Sequence, residues 1–359
     1  MAARRTHLGL RRRGPGLNAL ALAVLLLVLP GCFGLSEEEE SRLDFFRESA
    51  LGAYDRGDYM QSMHQASMAL ELDETDAIML LVKGFCQLKL GKASNNALTV
   101  DDALDTFALA EDDLEDDFRV YLGMGSAHLA RALLTEHEIA RSETRLESEF
   151  LSPESRDAEG LRLEQERERA VEHLQQAESN LRRVLDFDLQ KDNLYALMDL
   201  VLVLNAQGGG RDLEALELAD RALVLNDEST RFTEAALENN KRLSAGAKID
   251  LSQRLDSNRD RERMLRDLMA TVYFNRGDYD GFLAQMQALE DRGLLQEAQL
   301  HNRAAVREAL GQYDGAADDL QALLRMRVRR LDYEQDELAP EIFRRLEELK
   351  ARHAEPAAP

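Results

Sequence analysis

The chain has 359 residues, 44% of them apolar and 31% charged, with 68 acidic against 45 basic side chains and a formal charge of −23. Such a chain can bury a sizeable core, which argues against an intrinsically disordered protein, and its charge repels phosphate backbones, which argues against a nucleic-acid partner. Trp is absent and only six Pro occur, in a mixture rich in Leu, Ala, Glu, Asp and Arg that favours helix over strand, so an all-α fold is expected.

The first 31 residues stand apart. Arg4, Arg5, Arg11, Arg12 and Arg13 precede an apolar stretch from Leu17 to Leu29, and no acidic residue occurs before Glu37. This is the basic-then-apolar pattern of an export signal, and the stretch is shorter than the roughly 20 residues of a membrane-spanning helix. Leu29-Pro30-Gly31-Cys32 resembles the lipobox of bacterial lipoproteins, although Pro30 is unusual at its position. The resemblance implies cleavage before Cys32 and lipid attachment to it. Removing the leader takes away five Arg and leaves −28. Membrane attachment would then come from acyl chains, since anionic headgroups repel such a chain. Residues 32–40, with the run Glu37 to Glu40, read as an acidic tether or equally as a solvated helix start. The other cysteine, Cys86, lies in a helical pattern and reads as a small core residue.

From residue 41 to 352 the dominant signal is a recurring turn. Gly57-Asp58-Tyr59, Gly277-Asp278-Tyr279 and Gly311-Gln312-Tyr313 share it, the last two 34 residues apart. Each is followed by small or apolar residues spaced by four and three: Ser62, Ala66 and Ala69; Phe282, Met286 and Leu289; Ala316, Leu320 and Leu323. That spacing holds each set on one helix face. Gly91, 34 residues after Gly57, suggests another turn, leading into Ala103, Phe107 and Ala110, and Gly210-Arg211-Asp212 leads into Ala215, Ala219 and Ala222. Gly208-Gly209-Gly210 is followed by no Lys-Ser/Thr and reads as an interhelical turn rather than a phosphate loop. A further pair is expected between helices at Phe118 to Leu134 and Ala170 to Leu185, with Gly123, Gly125 and Ala127 allowing close approach.

These residues resemble the tetratricopeptide repeat family over most of residues 41 to 325. The family's Trp is absent, with Phe46 the nearest stand-in, and the Pro that commonly follows the second helix is missing. The resemblance implies a solenoid of five or six helical hairpins. Two polar insertions, about 135–165 and 228–262, interrupt the array and read either as partner-binding elements or as tolerated surface additions. A helix from about Asp336 to Arg352 with Leu338, Ile342, Leu346 and Leu349 is expected to cap the stack, followed by a disordered tail at 353–359.

Catalytic and metal-binding patterns are sparse. No His-Glu-x-x-His, Gly-x-Ser-x-Gly or Cys/His cluster occurs, so neither enzyme activity, metal nor cofactor is expected. What a repeat stack offers is a concave groove lined by first helices. Phe85, Lys89, Tyr121, His128, Asn302 and Arg303 are the candidate groove residues. Arg325, Arg327, Arg329 and Arg330 form one basic cluster, which either meets an acidic partner or complements a helix C-terminus.

The expected function is a lipid-anchored interaction scaffold of the bacterial envelope, with the anchor in the outer membrane facing the periplasm, because Phe33 rather than Asp follows Cys32. An inner-membrane or cell-surface position stays open. The resemblance extends to lipoproteins that support assembly of outer-membrane, secretion or pilus complexes. Its charge points to basic or amphipathic protein partners. A periplasmic accessory docking a solute-binding component is the alternative, and an enzyme site within the insertions a third.

Overall fold

The computed structural model describes residues 35–147, 151–208, 210–239, 243–328 and 338–354. Cys32 and the whole leader lie outside them. The described residues form thirteen helices and no strand. Twelve pair into hairpins: α1 (Glu37–Asp55) with α2 (Tyr59–Leu70), α3 (Ala77–Ser94) with α4 (Ala97–Glu111), and α5 (Phe118–Leu146) with α6 (Pro153–Asp186). The next three are α7 (Leu194–Gln207) with α8 (Asp212–Asn239), α9 (Ala245–Asn275) with α10 (Tyr279–Asp291), and α11 (Glu297–Ala309) with α12 (Tyr313–Val328). Helix α13 (Ala339–Ala354) follows and packs on α12 through Ile342, Leu346 and Leu349.

The Gly-x-Tyr turns share one geometry. Gly57, Gly277 and Gly311 have φ of 76°, 72° and 73°, and the amide of the following residue donates five residues back, to Ala53, Tyr273 and Arg307. This closure satisfies carbonyls that the helix end leaves orphaned, and it needs a left-handed residue. Asp58 and Asp278 then cap α2 and α10 through their carboxylates.

The second hairpin departs from the expectation at Gly91. Gly91 lies inside α3, where Val100 packs so closely that a Cβ would stand 2.8 Å from its Cγ2. The left-handed residue is Asn95, at φ 50°, and Asn96 donates back to the Gly91 carbonyl. Asn tolerates this conformation better than other side chains do, so the same turn is made four residues later.

The core is a series of apolar clusters, each shared by successive hairpins, as expected of a stack without a single centre. Phe107 of α4 wedges between α3 and α5, and glycines make the space: a Cβ on Gly84 or Gly123 would come within 2.7 or 2.5 Å of its ring. The acidic run Glu37 to Glu40 forms the first turn of α1, capped by Ser36 and Glu39 in a reciprocal box. Negative charge there complements the helix dipole. Both polar insertions are continuations of helices. The first lengthens α5 and α6 around a turn at Ser152-Pro153; the second lengthens α8 and α9. One arm leaves the stack at a turn within a hairpin and the other at a turn between hairpins, so they emerge from opposite edges.

Candidate functional site: the inner wall of the stack

First helices of neighbouring hairpins pack on one another from α1 to α3, α5, α7 and α9, whereas among the described residues the second helices α2, α4, α6, α8 and α10 make at most marginal contact with one another. A stack whose first helices touch while its second helices stand apart curves toward the first. The inner wall is therefore made by α1, α3, α5, α7 and α9.

On α3 a strip spaced by four and three carries Phe85, Lys89 and Lys92. Phe85 is half-buried, edge-on to Tyr54 of α1 at 6.5 Å and to Phe107 at 5.1 Å. Lys89 is solvent-accessible, yet the protein around it and the neighbouring Lys92 lower its pKa, against the pull of Asp199. An accessible side chain surrounded by protein is what a concavity produces. Asp199, on α7, accepts a hydrogen bond from Ser126 of α5. Burial raises the Asp199 pKa, and Lys92, Ser126 and Lys89 oppose the rise. Neither lysine has an ion-pair partner among the described residues, although most arginines do.

Aromatic groups flank this charged patch. Burial pushes the Tyr54 hydroxyl up to about 12, and Tyr59, Cys86 and Tyr195 add to the shift. Tyr195, one turn before Asp199 on α7, is 58% exposed, and the Arg261 guanidinium of α9 stands 5.7 Å from its ring centre. Arg261 is itself oriented by a hydrogen bond to Asn226, 3.1 Å, and another to Asn258. The wall thus offers ammonium and guanidinium groups, one carboxylate and exposed aromatic surface within a single concavity.

Of the six candidate groove residues, Phe85 and Lys89 lie on α3 along this wall. The other four candidates do not. Tyr121 is fully buried between α5 and α6, where its hydroxyl donates to the Glu115 carbonyl at 3.0 Å and Arg183 lies 3.7 Å over its ring. His128 points at α6, its Nδ1 3.0 Å from Nδ1 of His173; burial and that neighbour lower its pKa to about 4. Arg303 is 2% exposed and bonded to Asp319 and Glu290, joining α10, α11 and α12. Asn302 lines a separate cleft of about 420 Å³ between α11, α12 and α13, floored by Leu320, Leu323 and Ile342. In the basic cluster, Arg325 bonds Gln321 and Arg327 pairs with Glu297, while Arg329 and Arg330 lie outside the described residues. The sequence reading missed Tyr54, Lys92, Ser126, Tyr195, Asp199 and Arg261. The spacing of Tyr195 and Asp199 by four in a helix otherwise apolar from Leu194 to Leu204 was the available signal.

No family model matches the sequence, and no curated protein does. Among solved structures, a tetratricopeptide repeat protein from Parabacteroides merdae is 16% identical over 87% of this chain and 99% of its own, with a TM-score of 0.36. Pseudomonas aeruginosa pilF is 14% identical over 83% and 98%, at 0.45. Acl4, an assembly chaperone of RpL4, is 15% identical over 87% and 99%, at 0.39. None reaches 0.5, so the helical-hairpin architecture rests on the turns and packing of this chain.

Proposed function

We propose that the protein is an interaction scaffold that holds a segment of a protein partner along the inner wall. The observation that carries this reading is the placement of unpaired Lys89 and Lys92 beside Tyr54, Tyr195 and Asp199 on first helices of successive hairpins. Tyrosine and arginine on a rigid concave support are side-chain types that dominate binding energy at protein interfaces, and the lysines add charge complementarity. The fitting partner is amphipathic: the docked segment lays its apolar side against the aromatics and its acidic groups against the lysines, while the strongly acidic remainder of the chain speeds encounter with basic surfaces elsewhere on the partner.

We further place the scaffold at the bacterial envelope, anchored by lipid on Cys32 in the outer membrane and serving the assembly of an outer-membrane, secretion or pilus complex. The leader pattern and Leu29-Pro30-Gly31-Cys32 support the anchor. No described helix is long and apolar enough to cross a membrane. Crosslinked pull-down from the native envelope, followed by mass spectrometry, tests the scaffold. Partners recovered by the wild type should fall at least several-fold for Lys89→Glu combined with Lys92→Glu. Equal recovery by a folded double variant would contradict the inner-wall reading. Cys32→Ser should abolish palmitate labelling and leave uncleaved precursor; unchanged labelling would contradict the anchor.

A further inference from the structure

The two projecting arms differ in how they are held together. The α5–α6 arm closes on itself. Ser142 donates to Glu166 across the helices at 3.1 Å, Arg167 pairs with Glu143 at 2.6 Å, Arg145 pairs with Glu159 at 3.6 Å, and Leu163 is buried.

Among the described residues, the α8–α9 arm is closed only at its base. There Asn226 donates to the Asn258 carbonyl at 2.9 Å and Asn258 reaches Ser229 at 3.3 Å. Beyond that point, among the described residues 234–257, none is buried and no side chain bonds across to the other helix. The seam consists of Ala236, Leu237, Leu243, Ala247, Leu251 and Leu255, all half-buried, and Phe232 on its flank is 76% exposed. Unlike the α5–α6 arm, this one leaves its apolar seam half-covered, although helices in proteins draw most of their stability from packing an apolar face. A second apolar surface would complete its cover.

Charge identifies which. Residues 228–262 hold seven acidic and seven basic side chains, so the whole −23 of the chain resides elsewhere. The α5–α6 extension, residues 135–165, holds nine acidic and four basic. Two copies of a strongly acidic protein repel each other over most of their surface. At the α8–α9 tip that repulsion vanishes, and side chains of both signs are available to pair in a self-complementary contact. Two such arms laid together make four helices, which pack around a shared apolar core as in a four-helix bundle. A two-fold contact uses the same patch on both partners, as a neutral arm of mixed sign permits. We propose that the α8–α9 arm docks on the same arm of a second copy, forming a two-fold dimer independent of what the inner wall binds.

Sedimentation velocity of the purified protein from about 1 to 100 µM tests this, because dimer population follows concentration by mass action. The account expects a species of twice the monomer mass to grow with concentration. Leu237→Glu combined with Leu255→Glu should be monomeric over the same range, and Leu161→Glu on the other arm should dimerise like the wild type. A monomeric wild type at every concentration overturns the proposal, as does a folded double variant that still dimerises. If the double variant loses helix, hydrogen exchange of the wild type decides. Protection at residues 243–255 that rises with concentration supports the dimer, and protection independent of concentration overturns it.

Discussion

Several single side chains govern local stability here through conformation, charge or burial. Gly277 sits at φ 72° with open space around it, so substitution strains the backbone rather than colliding with neighbours. Gly277→Val should cost more than the roughly 1 kcal/mol of a propensity change, because a β-branched residue resists positive φ. Thermal unfolding should show a loss of at least a few degrees; a shift under about 1 °C would contradict the turn geometry. Arg303 and Asp319 are charges removed from water and depend on each other. Arg303→Ala leaves Asp319 dependent on Arg307 alone and should destabilise by about 3–5 kcal/mol, measured by urea unfolding. His128 is held neutral, its pKa lowered to about 4 from 6.5, and that of His173 is lowered too. Between those values the unfolded chain binds protons that the folded chain does not. Stability should therefore be flat above pH 6.5 and fall as pH drops toward 4. Arg131 and Arg169 add to the depression of the His173 pKa, while Asp101 and Glu172 oppose it. In His128→Gln the acid slope of the unfolding free energy should be shallower; an unchanged slope would assign the acid sensitivity to other groups.

At the scale of elements, the repeats were legible at three of the turns that need glycine. Positive φ restricts residue choice so strongly that Gly57, Gly277 and Gly311 mark three hairpins, and the apolar residues at four-and-three spacing mark the faces that pack behind them. The same logic failed at Gly91 because glycine is also required where helices approach closely, and the sequence alone does not distinguish the two uses. Asn95 made the turn instead. The extensions of α5, α6, α8 and α9 were legible as polar stretches, since an arm outside the stack has little to bury. The inner wall was harder. A neighbouring residue in a helix points 100° away, so in copies without a strong pattern an error of one position moves a side chain from groove to core, as with Tyr121, or onto the partner helix, as with His128. Arg303 misled for a different reason: a buried guanidinium paired with Asp319 and Glu290 has the same sequence signature as an exposed one. The capping helix makes a separate prediction. Ile342, Leu346 and Leu349 cover the end of the last hairpin, so Leu346→Asp should raise exchange rates in α12 by exposing Leu320 and Leu323, while leaving α1 to α4 unchanged. Uniform destabilisation would contradict a stack in which each hairpin depends mainly on its neighbours.

The whole molecule combines a curved stack with an acidic exterior and a locally cationic inner wall. Long-range attraction should then govern how fast a basic or amphipathic partner arrives, and the inner wall how long it stays. Raising salt from about 50 to 500 mM shortens the screening length from roughly 14 Å to 4 Å, so association should slow several-fold with a smaller change in dissociation. A salt-independent association rate would leave the acidic surface with a role in solubility alone. The central claim, that partners lie on the inner wall, is tested most directly by a photo-crosslinking side chain placed in vivo at one position at a time. Positions 89 and 195 face the wall, whereas Leu109, 61% exposed on α4, belongs to the layer of second helices. The account predicts discrete adducts from positions 89 and 195 and none from 109; adducts from 109 alone, or equally from all three, would contradict it.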